Sequence, residues 1–215
     1  MMEHMNSRRP ARPLSRADIA HAALELIDSA GLDNFSMRKL GTRLEVDAMA
    51  IYRRFDDRED LFDEVVAEMH RAVDVAGLPW GDPWPDLVFA YGTALRDALL
   101  AHPQAVLLFA RRPVRSPDAT EWAVRALLKM ADEGVPSPAA LQAARCVNEF
   151  VVGHAIAMSN KEAQAKRSRR PEQGSAGFNV LAAAAASTER GGHFKLGLKS
   201  LIDGLQQSLP HHQGS

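Results

Sequence analysis

A chain of 215 residues with 46% apolar side chains is long and apolar enough to bury a sizeable core, which excludes a disordered segment. The net charge of −1 lacks the bulk basic excess of a crude nucleic-acid binder, and a single cysteine excludes a disulfide framework. No apolar run reaches the roughly 18 residues of a membrane-spanning helix, and no apolar stretch follows the N-terminal arginines as in a secretory leader, so a cytoplasmic protein is expected.

Residues 1–14 are polar, carry Pro10 and Pro13, and read as a mobile arm. Ser15 followed by Asp18 is a capping-box variant, and Ile19, Ala22, Ala23, Leu26, Ile27 and Ala30 then recur at helical spacing up to a stop at Gly31. Ser36 is placed to cap a short helix ending near Leu44. After the turn Glu45-Val46-Asp47, a second short helix runs from about Ala48 to Arg54. Asp57 is placed to cap a longer helix to about Val75, with Leu61, Val65, Met69, Ala72, Val73 and Ala76 as its stripe. The Gly/Pro-rich stretch 77–85 is the best boundary. Beyond it, helices are expected at about 84–101, 103–110, 117–133, 138–164, 178–187 and 193–209, with a basic loop at 165–177 and a fraying tail at 210–215. No strand pattern and no internal repeat is present. The chain is therefore expected to be all-α: a three-helix unit at 15–60, a connecting helix at 61–77, and a multi-helix body at 78–209.

Charge is unevenly placed. Arg8, Arg9, Arg12 and Arg16 face only Glu3 in the first sixteen residues. Arg38, Lys39, Arg43, Arg53, Arg54 and Arg58 outnumber the acids of 36–58. Residues 36–55 also meet the needs of a helix-turn-helix. Leu40, Leu44, Val46 and Ile51 are placed to close two short helices on each other, and Gly41 is small where they would meet. Arg38 can fork onto guanine, while Ala48, Met49 and Ala50 suit apolar contact with base edges. Ser36, Lys39, Tyr52, Arg53 and Arg58 suit phosphates; Asp47 either caps the second helix or accepts from cytosine N4. Two ordinary core helices with a solvated arginine face would show much of the same pattern.

Order and spacing go further. Residues 26–41 (LIDSAGLDNFSMRKLG) and 46–61 (VDAMAIYRRFDDREDL) resemble the signature of the tetracycline-repressor (TetR) family. Ile51-Tyr52 stands at its Leu-Tyr pair, Phe55 at its Phe, Arg58 at its Lys and Leu61 at its Leu. The resemblance implies base contacts for Arg38, Ala48 and Met49 and phosphate contacts for Ser36, Tyr52 and Arg58. One departure is Glu45, where the family usually has glycine.

The body resembles the tetracycline repressor's own subfamily more loosely, at Tyr91…Leu95 to Pro103, Arg111-Arg112-Pro113, Phe150 to His154, and Phe194…Leu205. The resemblance implies a ligand cavity and a homodimer through helices 138–164 and 193–209. It further implies a sequence-specific regulator, a repressor released from a palindromic double-stranded DNA operator by a small-molecule effector. The subfamily's metal-binding histidine is replaced by Leu108 (Phe109 if the gap moves), its threonine by Arg111, and the histidine after its first long helix by Asp74. A metal-bound tetracycline is therefore not the expected effector, and neither metal nor cofactor is expected. The effector candidates are Asp74, Tyr91, Leu95, Leu108, Arg112, Trp122 and Phe150, each apolar one being either cavity wall or plain core. Arg112 either binds an anionic group or forms a loop-end salt bridge. His102, His154 and His193 lack metal-ligand spacing, and Cys146 is expected as a buried thiol. With no phosphate loop or hydrolase elbow, an enzyme is not expected. The rivals are a helical ligand-binder or enzyme with a vestigial helix-turn-helix, and an architectural DNA binder without effector.

Overall fold

The computed structural model describes residues 14–112, 114–159 and 192–210, with positions 180, 183 and 184. The expected basic arm, the 165–177 loop, most of the expected 178–187 helix and the tail lie outside the described residues. Among the described residues the chain is all-helical, with nine α-helices and no strand.

The N-terminal unit is set by its caps. Helix α1 (Arg16–Ala30) opens with the Ser15–Asp18 capping box and closes at Gly31, whose φ of 83° needs glycine. Ser36 caps α2 (Met37–Arg43), Asp47 caps α3 (Ala48–Tyr52) and Asp57 caps α4 (Arg58–Arg71), each accepting from a backbone N–H of the first turn. These elements share a core that includes Ile19, Ile27, Leu40, Ile51, Phe55 and Leu61. Arg16 ties α1 to α4. Its guanidinium donates to both Asp60 carboxylate oxygens (2.6 and 3.0 Å) and to the Arg54 carbonyl, and lies 4.1 Å from the Phe55 ring centroid. That hydrogen-bonded pairing holds the Asp60 carboxyl below its ordinary value.

Helix α4 ends four residues before the expected Val75. Asp74 turns to accept from the Gly77 N–H (3.1 Å), which starts the connecting strap. The strap is pinned rather than loose: the Trp80 indole donates to the Val75 carbonyl (2.9 Å), and Arg125 lies 3.7 Å from the Trp80 ring.

The body consists of α5 (Trp84–Ala101), α6 (Val106–Arg111), α7 (Pro117–Asp132), α8 (Ser137–Ser159) and α9 (Gly192–Ser208). Helix α6 begins three residues later than expected because 102–105 form a turn, Ala105 N–H donating to the His102 carbonyl. Helices α5, α8 and α9 meet at Gly92, where a Cβ would lie 3.0 Å from Leu198 and 3.4 Å from Val147. The inward row of α8 is Ala139, Ala140, Ala143, Val147, Val151 and Ala155. Cys146 falls one position off that row and is exposed, so the expectation of a buried thiol is corrected.

Candidate nucleic-acid interface and ligand cavity

The turn between α2 and α3 is tight. The Val46 N–H donates to the Gly41 carbonyl (2.9 Å), and a Cβ at Gly41 would lie 2.8 Å from the Val46 carbonyl oxygen. Glu45 is left with φ 56°, the only non-glycine residue with positive φ among those described. A glycine would adopt this conformation without strain; the glutamate holds it at a cost of about 1 kcal/mol.

Helix α3 is five residues long and buries Ile51. Its remaining large side chains point outward: Met49 is 63% exposed and Tyr52 43%. Ala48 is half-buried beside them. Asp47 is engaged as the cap, accepting from the Met49 N–H at 2.7 Å.

The nearby cations fall into two groups. Arg38 and Arg53 are exposed and make no ion pair with a described residue. Lys39 donates to the Asn34 carbonyl (2.8 Å), and Arg58 rests 4.7 Å from the Phe62 ring and 5.5 Å from that of Phe35. The half-buried Ser36 holds the α2 cap, accepting from the Lys39 N–H at 3.2 Å.

In the body, two adjoining pockets, the larger of them open to the surface, share Tyr91, Trp122, Ala123 and Asn148. The larger has a volume of about 410 Å³ and is also lined by His70, Leu95, Phe109, Arg112 and Glu149. The smaller, about 150 Å³, is walled largely by apolar side chains such as Leu87, Met130 and Val147. Tyr91 and Trp122 stack at their junction, with ring centroids 4.0 Å apart and planes inclined by 24°. Burial pushes the Tyr91 phenol well above its ordinary range and pushes the His70 imidazole down, so that histidine rests neutral.

Four of the seven effector candidates, Tyr91, Leu95, Arg112 and Trp122, lie on this cavity. Three do not. Asp74 is exposed in the strap, where it caps Gly77. Phe150 stacks on Phe194 and packs over Gly197, on the other side of α8. Leu108 faces a polar groove of about 730 Å³ between the N-terminal unit and the body. His70 is a cavity residue that the apolar pattern hides, because it belongs to a second buried row of α4, Phe62-Val66-His70, beside the stripe through Leu61, Val65 and Met69.

Arg112 borders both the groove and the cavity. Its guanidinium donates to the carboxylates of Glu59 and Asp63 and to the Glu59 carbonyl, all in the first turns of α4. Of the two alternatives for Arg112, the salt bridge is the one observed. A second joint is the His102–Asp28 contact at 2.5 Å, between the ends of α5 and α1.

Residues 19–65 match the family of bacterial regulatory proteins named tetR, and residues 78–209 match the "Tetracyclin repressor-like, C-terminal domain". The chain belongs to the TetR family. An HTH-type transcriptional regulator of Saccharopolyspora erythraea is 32% identical over 149 residues, 69% of this chain and 63% of that protein's length. The class G tetracycline repressor of Vibrio anguillarum is 28% identical over 201 residues, 90% of this chain and 94% of the repressor. The crystal structure of the TetR family protein ActR of Streptomyces coelicolor in complex with (S)-DNPA superposes with a TM-score of 0.75 at 25% identity, over 91% of this chain and 98% of ActR. This TetR-family chain is accordingly a helix-turn-helix transcriptional regulator and not an enzyme. Among the described residues no helix is long and apolar enough to cross a membrane.

Proposed function

We propose that this regulator is a cytoplasmic, homodimeric repressor that holds a palindromic operator through residues 15–60 and lets go when a small molecule fills the cavity in residues 78–209. Residues 61–77 form the link between the two. Arg38 and the leading residues Ala48 and Met49 read bases, and Ser36, Lys39, Tyr52, Arg53 and Arg58 hold phosphates. Asp47 keeps the reading helix capped.

The observation that carries the release mechanism is the position of Arg112. It borders the cavity and at the same time grips Glu59 and Asp63, on the helix that directly follows α3. A ligand that displaces α6 must also shift or break that grip, so cavity occupancy and the posture of the reading helix are one equilibrium. Dimerisation through α8 and α9 is supported by their uncovered faces. Leu196 is 69% exposed, and Gly153 and Gly204 have open space where a Cβ would stand, which suits close approach of a second helix pair.

The test is a fluorescence-anisotropy titration of the protein with duplexes tiled across its own flanking DNA. One duplex should bind at sub-micromolar concentration, with a preference over random sequence that persists as salt is raised. Equal binding to all duplexes at low salt overturns the proposal.

A further inference from the structure

The smaller pocket is a hollow left by short side chains. Helix α7 buries only Ala119 and Met130 of its 16 residues. Ala123 and Ala126 of α7 and Ala140 and Ala144 of α8 line the pocket and leave room that leucines would fill. Leu87, Leu127, Met130 and Val147 complete an apolar wall. The volume of about 150 Å³ is well below the roughly 300 Å³ at which sites for drug-sized ligands begin, so the occupant is compact. The Tyr91–Trp122 stack borders the hollow and favours a ring as its neighbour.

Among the described residues that line this pocket, one is charged: Arg145 of α8. It is exposed and makes no ion pair with a described residue. An arginine so placed covers apolar wall with its methylenes and keeps its charge in water. Glu149 borders the larger pocket instead, as does Arg112, whose guanidinium is committed to Glu59 and Asp63. An apolar hollow lined by a guanidinium and by no carboxylate is complementary to an apolar body that ends in an anion. The planar fork of arginine matches a carboxylate with two parallel hydrogen bonds.

Taken as part of the effector site of the proposed function, a reading on which this inference rests, the smaller pocket defines a ligand class. We infer that the effector is a compact apolar acid. Its body of one or two rings lies among the alanines of α7 and α8 beside the Tyr91–Trp122 stack, and its carboxylate is held by Arg145. Arg145 is thereby the residue that selects the ligand's charge.

Three probes of nearly one shape test this by equilibrium dialysis against the full-length protein without DNA. They are 2-naphthoate (an anion), 2-naphthamide (uncharged) and 2-naphthylmethylammonium (a cation). Naphthoate should bind about fivefold tighter than the amide, the upper end for a partly exposed ion pair, and the ammonium weakest. The preference should shrink as salt rises. Arg145→Gln should bring naphthoate down to the level of the amide and leave the amide unchanged; Arg145→Met, which keeps the stem without the charge, should do the same. Ala126→Leu should weaken all three probes by filling the hollow, and Ala144→Val supplies the same comparison at smaller volume if the leucine variant does not fold. Equal binding of naphthoate and the amide, tightest binding by the ammonium, binding by none of the three, or a naphthoate advantage that survives the loss of the Arg145 charge overturns the inference. Operator release by an uncharged or cationic compound, with naphthoate inert, would remove this ligand class and leave the proposed function standing. Naphthoate that binds as described but leaves operator affinity unchanged at saturation would uphold the acid site and remove its effector role.

Discussion

Met49 and Tyr52 stand out because large side chains in a five-residue helix are normally spent on anchoring it, and here only Ile51 is. Such exposure is sensible where a partner covers it part of the time. Replacing Arg38 with Ala should cost about 1–3 kcal/mol of operator affinity and relax preference at one base position, as read by anisotropy on single-base operator variants. An equal loss on random DNA would make Arg38 a phosphate contact. Inside the body, His70 provides a pH signature. Its folded-state proton affinity lies below the ordinary histidine value of 6.5, so below that pH the unfolded chain binds a proton that the folded chain does not. Melting temperature should therefore fall as pH drops from 6.5 toward the folded value, and His70→Gln should flatten that slope. At this scale the sequence is most legible where chemistry is local. Ser15, Ser36, Asp47 and Asp57 each sit one residue before a helix, and capping needs nothing else. Cys146 escapes such a reading because its exposure depends on which side of α8 meets α5, a matter of one residue in register.

The reading element is assembled from a clash and a strain. Gly41 admits the Val46 carbonyl where no side chain fits, and Glu45 accepts a left-handed backbone to bring the chain round. Glu45→Gly should raise thermal stability by about 1 kcal/mol with DNA affinity nearly unchanged, because the strain lies in the turn and not on the exposed face. A drop in stability would show that the glutamate side chain contributes something the backbone angle conceals. Among the described residues, the α-helices are readable from apolar spacing and proline positions. Element ends are less so: α4 stops at Arg71 and α6 starts at Val106 because Asp74 and the turn after His102 capture backbone N–H groups. Both are choices that helical periodicity does not encode. The cavity is half legible. Tyr91, Leu95 and Arg112 lie in segments that carry the family resemblance and Trp122 is a further candidate, whereas Asp74, Leu108 and Phe150 occupy positions that this chain's packing turns elsewhere.

For the molecule as a whole, among the described residues two polar contacts reinforce the packing of α1–α4 on the body: Arg112 on Glu59 and Asp63, and His102 on Asp28. Arg112→Ala should leave both DNA and cavity ligands able to bind while shrinking the effect of one on the other, a coupling typically worth about 1–3 kcal/mol in such systems. The measurement is operator affinity with and without a cavity ligand; coupling retained in full would place the transmission elsewhere. In the same frame, Leu196→Asp on the uncovered face of α9 should shift the sedimentation coefficient to that of a monomer and abolish binding to a two-half-site operator, since one reading unit meets one half-site. The resting positions of Lys39 and Arg58 have a further effect. If they hold phosphates as proposed, each would exchange a carbonyl or an aromatic pair for the phosphate, so fewer ions would be displaced from DNA by a casual encounter than the tally of basic residues suggests. On the proposed reading, such an arrangement would shorten the protein's stays on the bulk of the chromosome and let its occupancy of one address answer quickly to a change in its surroundings.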